Sequence, residues 1–219
     1  MIIVFICNKL SNVSKGDYSM NTIMKLSSLC CLALCFIAIA AEAAEKPELT
    51  ALRQDSNINY SQMNFSLFSS LYNLGILNGG MAVKFSAPKA GWKLQAVRAV
   101  GWSGYNESTQ SYPGDGVFLL EVRDSDMNLL YKFADVQNNY FLSESGPVLG
   151  EIEIPAVAVT GDFYVILYDR GTARIGMENN NGTGNSFIYL GGDLVPAERV
   201  DPKTNETIGV NWMIEAAGN

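Results

Sequence analysis

The sequence contains no histidine, and its four cysteines fall at Cys7, Cys30, Cys31 and Cys35. Without either residue type, the rest of the chain cannot build a Ser–His–Asp triad, a Cys–His pair or a His/Cys zinc site. A metal ion there would need oxygen ligands, which calcium and magnesium prefer. These absences exclude the most common hydrolytic and zinc-dependent chemistry from everything after Cys35.

Positive charge is also scarce, because 15 Lys and Arg residues stand against 22 Asp and Glu residues, a net charge of −7. Three of the basic residues (Lys9, Lys15, Lys25) and two of the acidic residues (Asp17, Glu42) precede residue 44. The net charge of residues 44–219 is therefore −8. An acidic surface repels phosphate backbones, so we expect no nucleic-acid partner. It suits solubility and divalent cations instead.

The longest apolar run, residues 26–41, follows the positive start Met24-Lys25 and ends at the small-residue pattern Ala41-Glu42-Ala43. The run is shorter than the about 20 apolar residues of a membrane span. We interpret residues 24–43 as a signal peptide and predict a secreted or cell-surface protein with no membrane span after cleavage. An uncleaved anchor is the alternative. Residues 1–23 lack export features and are interpreted as a start-site artefact or a disordered extension.

Residues 44–219 have the length of one domain, which at about 175 residues buries roughly two-thirds or more of the surface of its unfolded chain. The hydrophobic content of 48% supports a globular core. No internal repeat or low-complexity tract interrupts this part of the sequence. We therefore expect a single domain over 44–219 that needs neither a disulfide nor a metal to fold.

Short apolar or alternating runs, separated by Gly, Pro, Asn and Asp clusters, indicate an all-β domain. The predicted strands are 81–86, 92–102, 117–123, 129–134, 150–155, 162–169, 185–190 and 207–216. The pair 117–123 and 129–134 reads as a hairpin, and the apolar 162–169 as a central strand buried on both faces. Residues 61–78 fit a helix and a strand equally. The fold class that results is a two-sheet antiparallel β-sandwich, jelly-roll-like.

Five stretches resemble a jelly-roll-like β-sandwich module of secreted and cell-surface proteins of archaea and bacteria, often found beside peptidase or adhesion domains. The stretches are GWKLQAVRAVGW (91–102), FLLEVRDSDMNLLYKFAD (118–135), EIEIPAVAVTGDFYVILYDRG (151–171), GNSFIYLGG (184–192) and NWMIEAAG (211–218). The resemblance implies structural roles: Gly161 in a turn, Phe163 and Val165 in the core, and residues 212–214 in a closing strand. It implies no catalytic residue, so no active site follows from it.

One acidic loop has part of a calcium-binding pattern. Asp124, Asp126 and Asn128 occupy positions 1, 3 and 5 of such a loop, and Asp135 falls at position 12. Leu129 stands at position 6, where the pattern needs glycine. The favoured interpretation is a hairpin turn in which Asp and Asn form local hydrogen bonds. Calcium bound by other loop oxygens is a separate hypothesis. Its candidate ligands are Asp115, Glu178 and Asp193.

Five aromatic residues could stack against a sugar ring: Trp92, Trp102, Tyr105, Tyr112 and Trp212. The three tryptophans lie in predicted strands, where large aromatics usually fill the core. Tyr105 and Tyr112 lie in a loop over 103–116 that is rich in Gly, Ser and Asn, so they are better placed for exposure. The ligand-binding candidates are therefore Tyr105 and Tyr112, with Trp102 at the start of the loop.

Two charged groupings have both a structural and a functional interpretation. Glu151 and Glu153 share one face of a strand at about 7 Å, a spacing suited to inverting glycoside hydrolysis. Two exposed glutamates are also the ordinary wet face of an amphipathic strand. Asp169-Arg170-Gly171 could bind a ligand at a sheet rim, although an ion pair that fixes the end of the strand is the favoured interpretation.

Asn-x-Ser/Thr sequons make glycosylation a further hypothesis for an exported chain. Within residues 44–219 they fall at Asn59, Asn64, Asn106, Asn181 and Asn205. Chance occurrence on an Asn- and Ser-rich surface is the alternative.

Taken together, these patterns favour a non-catalytic binding module that recognises envelope carbohydrate or an extracellular protein partner through its loops. A structural component of the cell envelope and a small carboxylate-based glycoside hydrolase are the two alternatives.

Overall fold

The computed structural model describes residues 48–57, 59–60, 68–71, 73–171, 173–179, 182–201 and 203–219. All of them fall in one compact unit, Glu48–Asn219. The predicted leader and the sequons at Asn64 and Asn181 lie outside the described residues. The strands are β1 Thr50–Leu52, β2 Phe68–Ser69, β3 Gly80–Ser86, β4 Lys93–Trp102, β5 Val117–Asp124, β6 Leu129–Val136, β7 Val148–Ala158, β8 Asp162–Tyr168, β9 Arg174–Glu178, β10 Ser186–Leu190, β11 Asp193–Pro196, β12 Glu198–Val200, β13 Thr207–Gly209, β14 Asn211–Trp212 and β15 Ile214–Gly218. One short helix, α1, spans Asn138–Phe141.

The strands form two large antiparallel sheets, as the all-β prediction expected. The seven-stranded sheet has the order β1-β15-β4-β9-β14, with β2 added to β9 and β7 added to β4. The six-stranded sheet has the order β11-β10-β3-β8-β5-β6, and β12 pairs separately with β13. Among the described residues, no helix is long and apolar enough to cross a membrane.

One hydrophobic core joins the two sheets into a sandwich. Val83 and Phe163 of the six-stranded sheet share a cluster with Val97 and Ile152 of the seven-stranded sheet, and all four are fully buried. Trp92 belongs to the same cluster, with its ring centroid 5.8 Å from that of Phe163. Burial of large apolar side chains between two sheets is the main source of stability for such a fold.

The core placement predicted for the tryptophans is confirmed at two of three positions. Trp92 is 1% exposed and Trp212 is 4% exposed. Trp102 is half-buried and packs instead on a small separate cluster built on Val100 and Met213. It therefore differs from the other two by lying on the outer surface of its sheet.

The individual strand predictions largely hold. Strand β8 pairs with β3 on one side and β5 on the other, so it is central. In β7, Ile152 and Ile154 are buried whereas Glu151 and Glu153 are exposed, which confirms a half-buried strand. Strands β5 and β6 pair directly across a tight turn, which confirms the hairpin.

The final predicted strand, 207–216, is in fact three short strands. The breaks fall where the chain changes its partner strand. The Val210 amide donates to the Ala197 carbonyl at 2.8 Å, in register with the β12–β13 pairing, and the Met213 amide donates to the Gly176 carbonyl at 2.9 Å, in register with the β9–β14 pairing. The chain thus transfers from β12 to β9 and then to β4. In the ambiguous region 61–78, Phe68–Ser69 form β2, and residues 61–67 lie outside the described part.

Candidate functional site

A cleft of about 280 Å³ lies where β4 ends beside the start of β9. Trp102, the last residue of β4, is the cross-strand partner of Arg174, the first residue of β9. Directly opposed residues of antiparallel strands present their side chains on the same face of the sheet. The residues that line the cleft are Asn73, Trp102, Ser103, Gly104, Pro113, Gly171 and Arg174.

Packing of Phe141 against the end of β4 fixes the backbone next to the cleft. The Phe141 ring is fully buried and lies so close to Gly101 and Gly150 that neither position could hold a side chain. A Cβ at Gly150 would come within 2.8 Å of the Phe141 ring. The Ser103 amide then donates a hydrogen bond to the Phe141 carbonyl at 3.1 Å. This packing holds the start of the 103–116 loop at a defined position beside Trp102.

The cleft walls combine an aromatic ring with polar groups. Trp102 is half-buried and Arg174 is exposed. Ser103 is 1% exposed, and its hydroxyl has no hydrogen-bond partner among the residues that the structure describes. Asn73 is held by its side-chain amide, which donates to the Gly171 carbonyl at 3.3 Å. An aromatic face beside convergent polar groups is the usual composition of a small-molecule site.

Tyr105 and Tyr112 flank this cleft. Their ring centroids are 4.8 Å apart, and both side chains are half-buried. Their chain neighbours Gly104 and Pro113 line the cleft directly. Partial burial, together with the nearby Glu144 carboxylate, raises the pKa of Tyr112. The structure therefore brings the three predicted ligand-binding residues to one end of the seven-stranded sheet.

The loop with the calcium-like pattern forms the β5–β6 turn. One Asp124 carboxylate oxygen accepts hydrogen bonds from the amides of Asp126 (2.9 Å) and Asn128 (2.8 Å). The other accepts from the Asn128 side chain at 2.9 Å. These bonds lower the pKa of Asp124, with the Asn128 side chain as the largest cause. The arrangement matches the local hydrogen bonds expected of a hairpin turn.

The other acidic candidates do not come together. Within the described ranges, no three Asp or Glu side chains are grouped closely enough to hold a metal ion. Glu178 is buried and accepts hydrogen bonds from Ser56, through its amide (3.0 Å) and its hydroxyl, and from the Asn211 side chain (3.0 Å). Asp115 accepts a bond from the Asn138 amide at 3.3 Å, and Asp193 is exposed at the start of β11.

The two charged groupings also have structural partners. Glu151 forms an ion pair of 2.7 Å with Arg98. Asp169 is buried and accepts hydrogen bonds from the Ser70 hydroxyl (2.5 Å) and the Leu71 amide (2.9 Å). Arg170 donates to the Leu77 carbonyl at 2.9 Å. Asp169 and Arg170 thus both fix the end of β8 to the 70–77 segment. They do so through hydrogen bonds to that segment, whereas the prediction was an ion pair between the two residues.

Three sequon asparagines lie on the described surface. Asn59, Asn106 and Asn205 are all exposed. The Asn106 side-chain oxygen accepts hydrogen bonds from the Ser108 amide (3.0 Å) and hydroxyl (2.7 Å). Asn205 has a positive φ of 59°. Because these asparagines are exposed, the fold is compatible with glycosylation at them, which stays a prediction.

A second polar grouping, absent from the sequence predictions, lies on the outer face of the six-stranded sheet. Glu121 is 5% exposed and accepts hydrogen bonds from Arg123 (2.9 Å) and the Tyr168 hydroxyl (3.0 Å). Lys132 lies 3.6 Å from its other oxygen. Burial, followed by the Glu121 charge, raises the pKa of Tyr168. Arg123 also covers the Tyr189 ring at 5.3 Å. Because its members satisfy one another, this grouping reads as structural.

Sequence reasoning missed Arg174, Ser103, Asn73 and the cleft itself. Arg174 opens a strand, RIGME, whose glycine and two charges give no clear alternation. Trp102 and Arg174 are 72 positions apart and become neighbours only through strand pairing. The one available signal was Gly171, in the Asp169-Arg170-Gly171 grouping, since it lines the cleft.

No protein-family model matches the chain, and a search of curated proteins found no match.

Proposed function

We propose that this protein is an exported, non-catalytic binding module that recognises envelope carbohydrate at the Trp102 cleft. The observation that supports the proposal best is the convergence of Trp102, the Tyr105–Tyr112 pair and Arg174 at one sheet end. Aromatic side chains offer flat apolar faces to sugar rings, and nearby polar groups fix orientation. An extracellular protein that carries such a sugar is the corresponding partner.

The choice of binding over hydrolysis rests on the positions of the carboxylates. Glu151 is committed to Arg98 at 2.7 Å, and it lies on β7, whereas the cleft is built from β4, β9 and loops. No carboxylate is among the residues that line the cleft. Glycoside hydrolysis needs two carboxyl groups on either side of the scissile bond.

The proposal includes a jelly-roll-like connection of the strands and export by the leader at 24–43. Strands β3 and β4 each lie between strands distant in sequence, β8 and β10 for β3, and β7 and β15 for β4. Such non-consecutive neighbours are typical of Greek-key and jelly-roll sandwiches.

A glycan array probed with residues 44–219 tests this function. We expect binding to at least one envelope-type glycan, with loss of signal in Trp102→Ala and in the double variant Tyr105→Ala/Tyr112→Ala. Tyr164→Ala is the matched control, because it removes a half-buried tyrosine from the other sheet. Equal loss in the control, or no glycan bound by the wild type, would count against the proposal.

A further inference from the structure

We infer that the sugar recognised at the Trp102 cleft is acidic: a pyranose whose carboxylate is bound by Arg174. This inference rests on the proposed function and names its ligand class. The charge of the cleft lining differs from the charge of the whole domain. Residues 44–219 carry a net charge of −8, yet the lining of the cleft contains one arginine and no acidic residue. The lining of the cleft is therefore positive on a negative protein, and the Glu144 carboxylate beside Tyr112 lies at its flank.

Within the described residues, Arg174 and Arg199 are the arginines without a hydrogen-bond or ion-pair partner for the guanidinium, and Arg199 lies away from this cleft, beside Trp212. Arg98 and Arg123 pair with carboxylates at 2.7 Å and 2.8 Å, and Arg53 pairs with Asp55 at 2.7 Å. Among the described residues, the Arg174 guanidinium forms no hydrogen bond or ion pair. A guanidinium left free beside an aromatic ring is prepared for a planar anion, because its fork of N–H donors matches a carboxylate in two parallel hydrogen bonds.

Ser103 supplies an independent observation. Its side chain is almost completely buried against the cleft, and its hydroxyl lacks a partner in the described part of the chain. Buried polar groups nearly always have a hydrogen-bond partner. A sugar hydroxyl or ring oxygen can act as donor or acceptor to this group. The Ser103 hydroxyl therefore marks where the polar edge of the ligand would lie, beside the guanidinium.

The size of the cleft agrees with one sugar unit. The volume of about 280 Å³ is just below the about 300–1,000 Å³ of pockets that enclose a drug-sized molecule. The Trp102 ring can take the apolar face of the pyranose while Arg174, its cross-strand neighbour, binds the carboxylate. A polymer would continue past Tyr105 and Tyr112.

Binding to polyuronates and to their carboxyl-reduced forms tests the inference. Polygalacturonate, alginate and polyglucuronate supply different ring stereochemistry, and reduction of each gives the same polymer without charge. We expect the wild type to bind at least one polyuronate about tenfold more tightly than its reduced form. Arg174→Gln should bring that ratio close to one. Lys89→Gln, which removes the same charge from an exposed loop, should leave it unchanged.

The outcomes separate the two proposals. Equal binding of charged and reduced polymers, both weakened by Trp102→Ala, overturns the acidic ligand and leaves the carbohydrate function standing. A preference for the charged polymer that survives in Arg174→Gln also overturns the acidic ligand, because the carboxylate would then be bound by another residue. Tighter, Arg174-dependent binding of dextran sulfate alone assigns a sulfate ester in place of a carboxylate. No binding to any polymer overturns both proposals. Circular dichroism of each variant checks that folding is intact.

Discussion

Glu178 shows at the scale of a single residue why an acidic side chain can be structural. Its carboxylate joins the β9 end to residue 56 near the start of the domain and to residue 211 near its end. A buried carboxylate is stable only when donors surround it. The sequence alone offered Glu178 as a metal ligand because it appears to lie in a loop, whereas its burial depends on segments distant in the chain.

Replacement of Glu178 by alanine should lower the free energy of unfolding by about 2–4 kcal/mol, because the buried Asn211 side chain and two donor groups of Ser56 lose a charged acceptor. Urea denaturation at neutral pH measures the change. Glu206→Ala is the control, since Glu206 is exposed, and a change within about 0.5 kcal/mol is expected there. Similar losses from the two variants would refute the structural role of Glu178.

The β5–β6 hairpin carries a prediction at the scale of an element. Asp124→Ala removes the acceptor of three turn hydrogen bonds, so its melting temperature should fall below that of Asp126→Ala, which has the same charge change in the same turn. Because folding lowers the pKa of Asp124, the contribution of its carboxylate to the stability of the protein is complete above pH 3.8, the usual pKa of the group. It is lost as the pH falls through the lower pKa of the folded protein.

The same two variants test calcium. We expect millimolar calcium to leave the wild-type melting temperature unchanged, because both Asp124 oxygens already accept protein hydrogen bonds. A ligand that binds only the folded state must raise that temperature. A rise that disappears in both Asp124→Ala and Asp126→Ala would show that the loop binds the metal.

The strands that the sequence predicted well are those with a strong pattern of their own. Strand β7 alternates and has one wet face, and β8 consists of apolar and aromatic residues after Asp162. Strands β9 and β12 are short and carry charges, and they form because neighbours offer free backbone groups. The breaks at Val210 and Met213 have the same origin, since each lies where the chain exchanges one partner strand for the next.

At the scale of the whole molecule, half of the candidate site was predictable. The loop over 103–116 was recognisable by composition, so Tyr105 and Tyr112 could be named. Arg174 and Ser103 could not, because neither lies in a pattern and their role depends on pairing between β4 and β9. Local composition predicts which residues are available, whereas long-range pairing decides which of them meet.

The predicted leader at 24–43 gives a prediction at the scale of the whole molecule. We expect the exported protein to begin at Ala44, since Ala41-Glu42-Ala43 provides the small residues that signal peptidase requires. Intact mass spectrometry of material from the native host checks this, with an Ala43→Leu variant as the control that should remain uncleaved. A mass that includes residues 24–43 in the wild type would indicate a retained anchor instead.

Strand β15 follows the other described strands in the chain, yet it lies between β1 and β4 in the seven-stranded sheet. Without residues 214–218, β1 would lose its partner in this sheet and β4 would expose unpaired backbone groups along one side. An open strand edge is a template for pairing with another chain, so these five residues protect the domain from edge-to-edge aggregation.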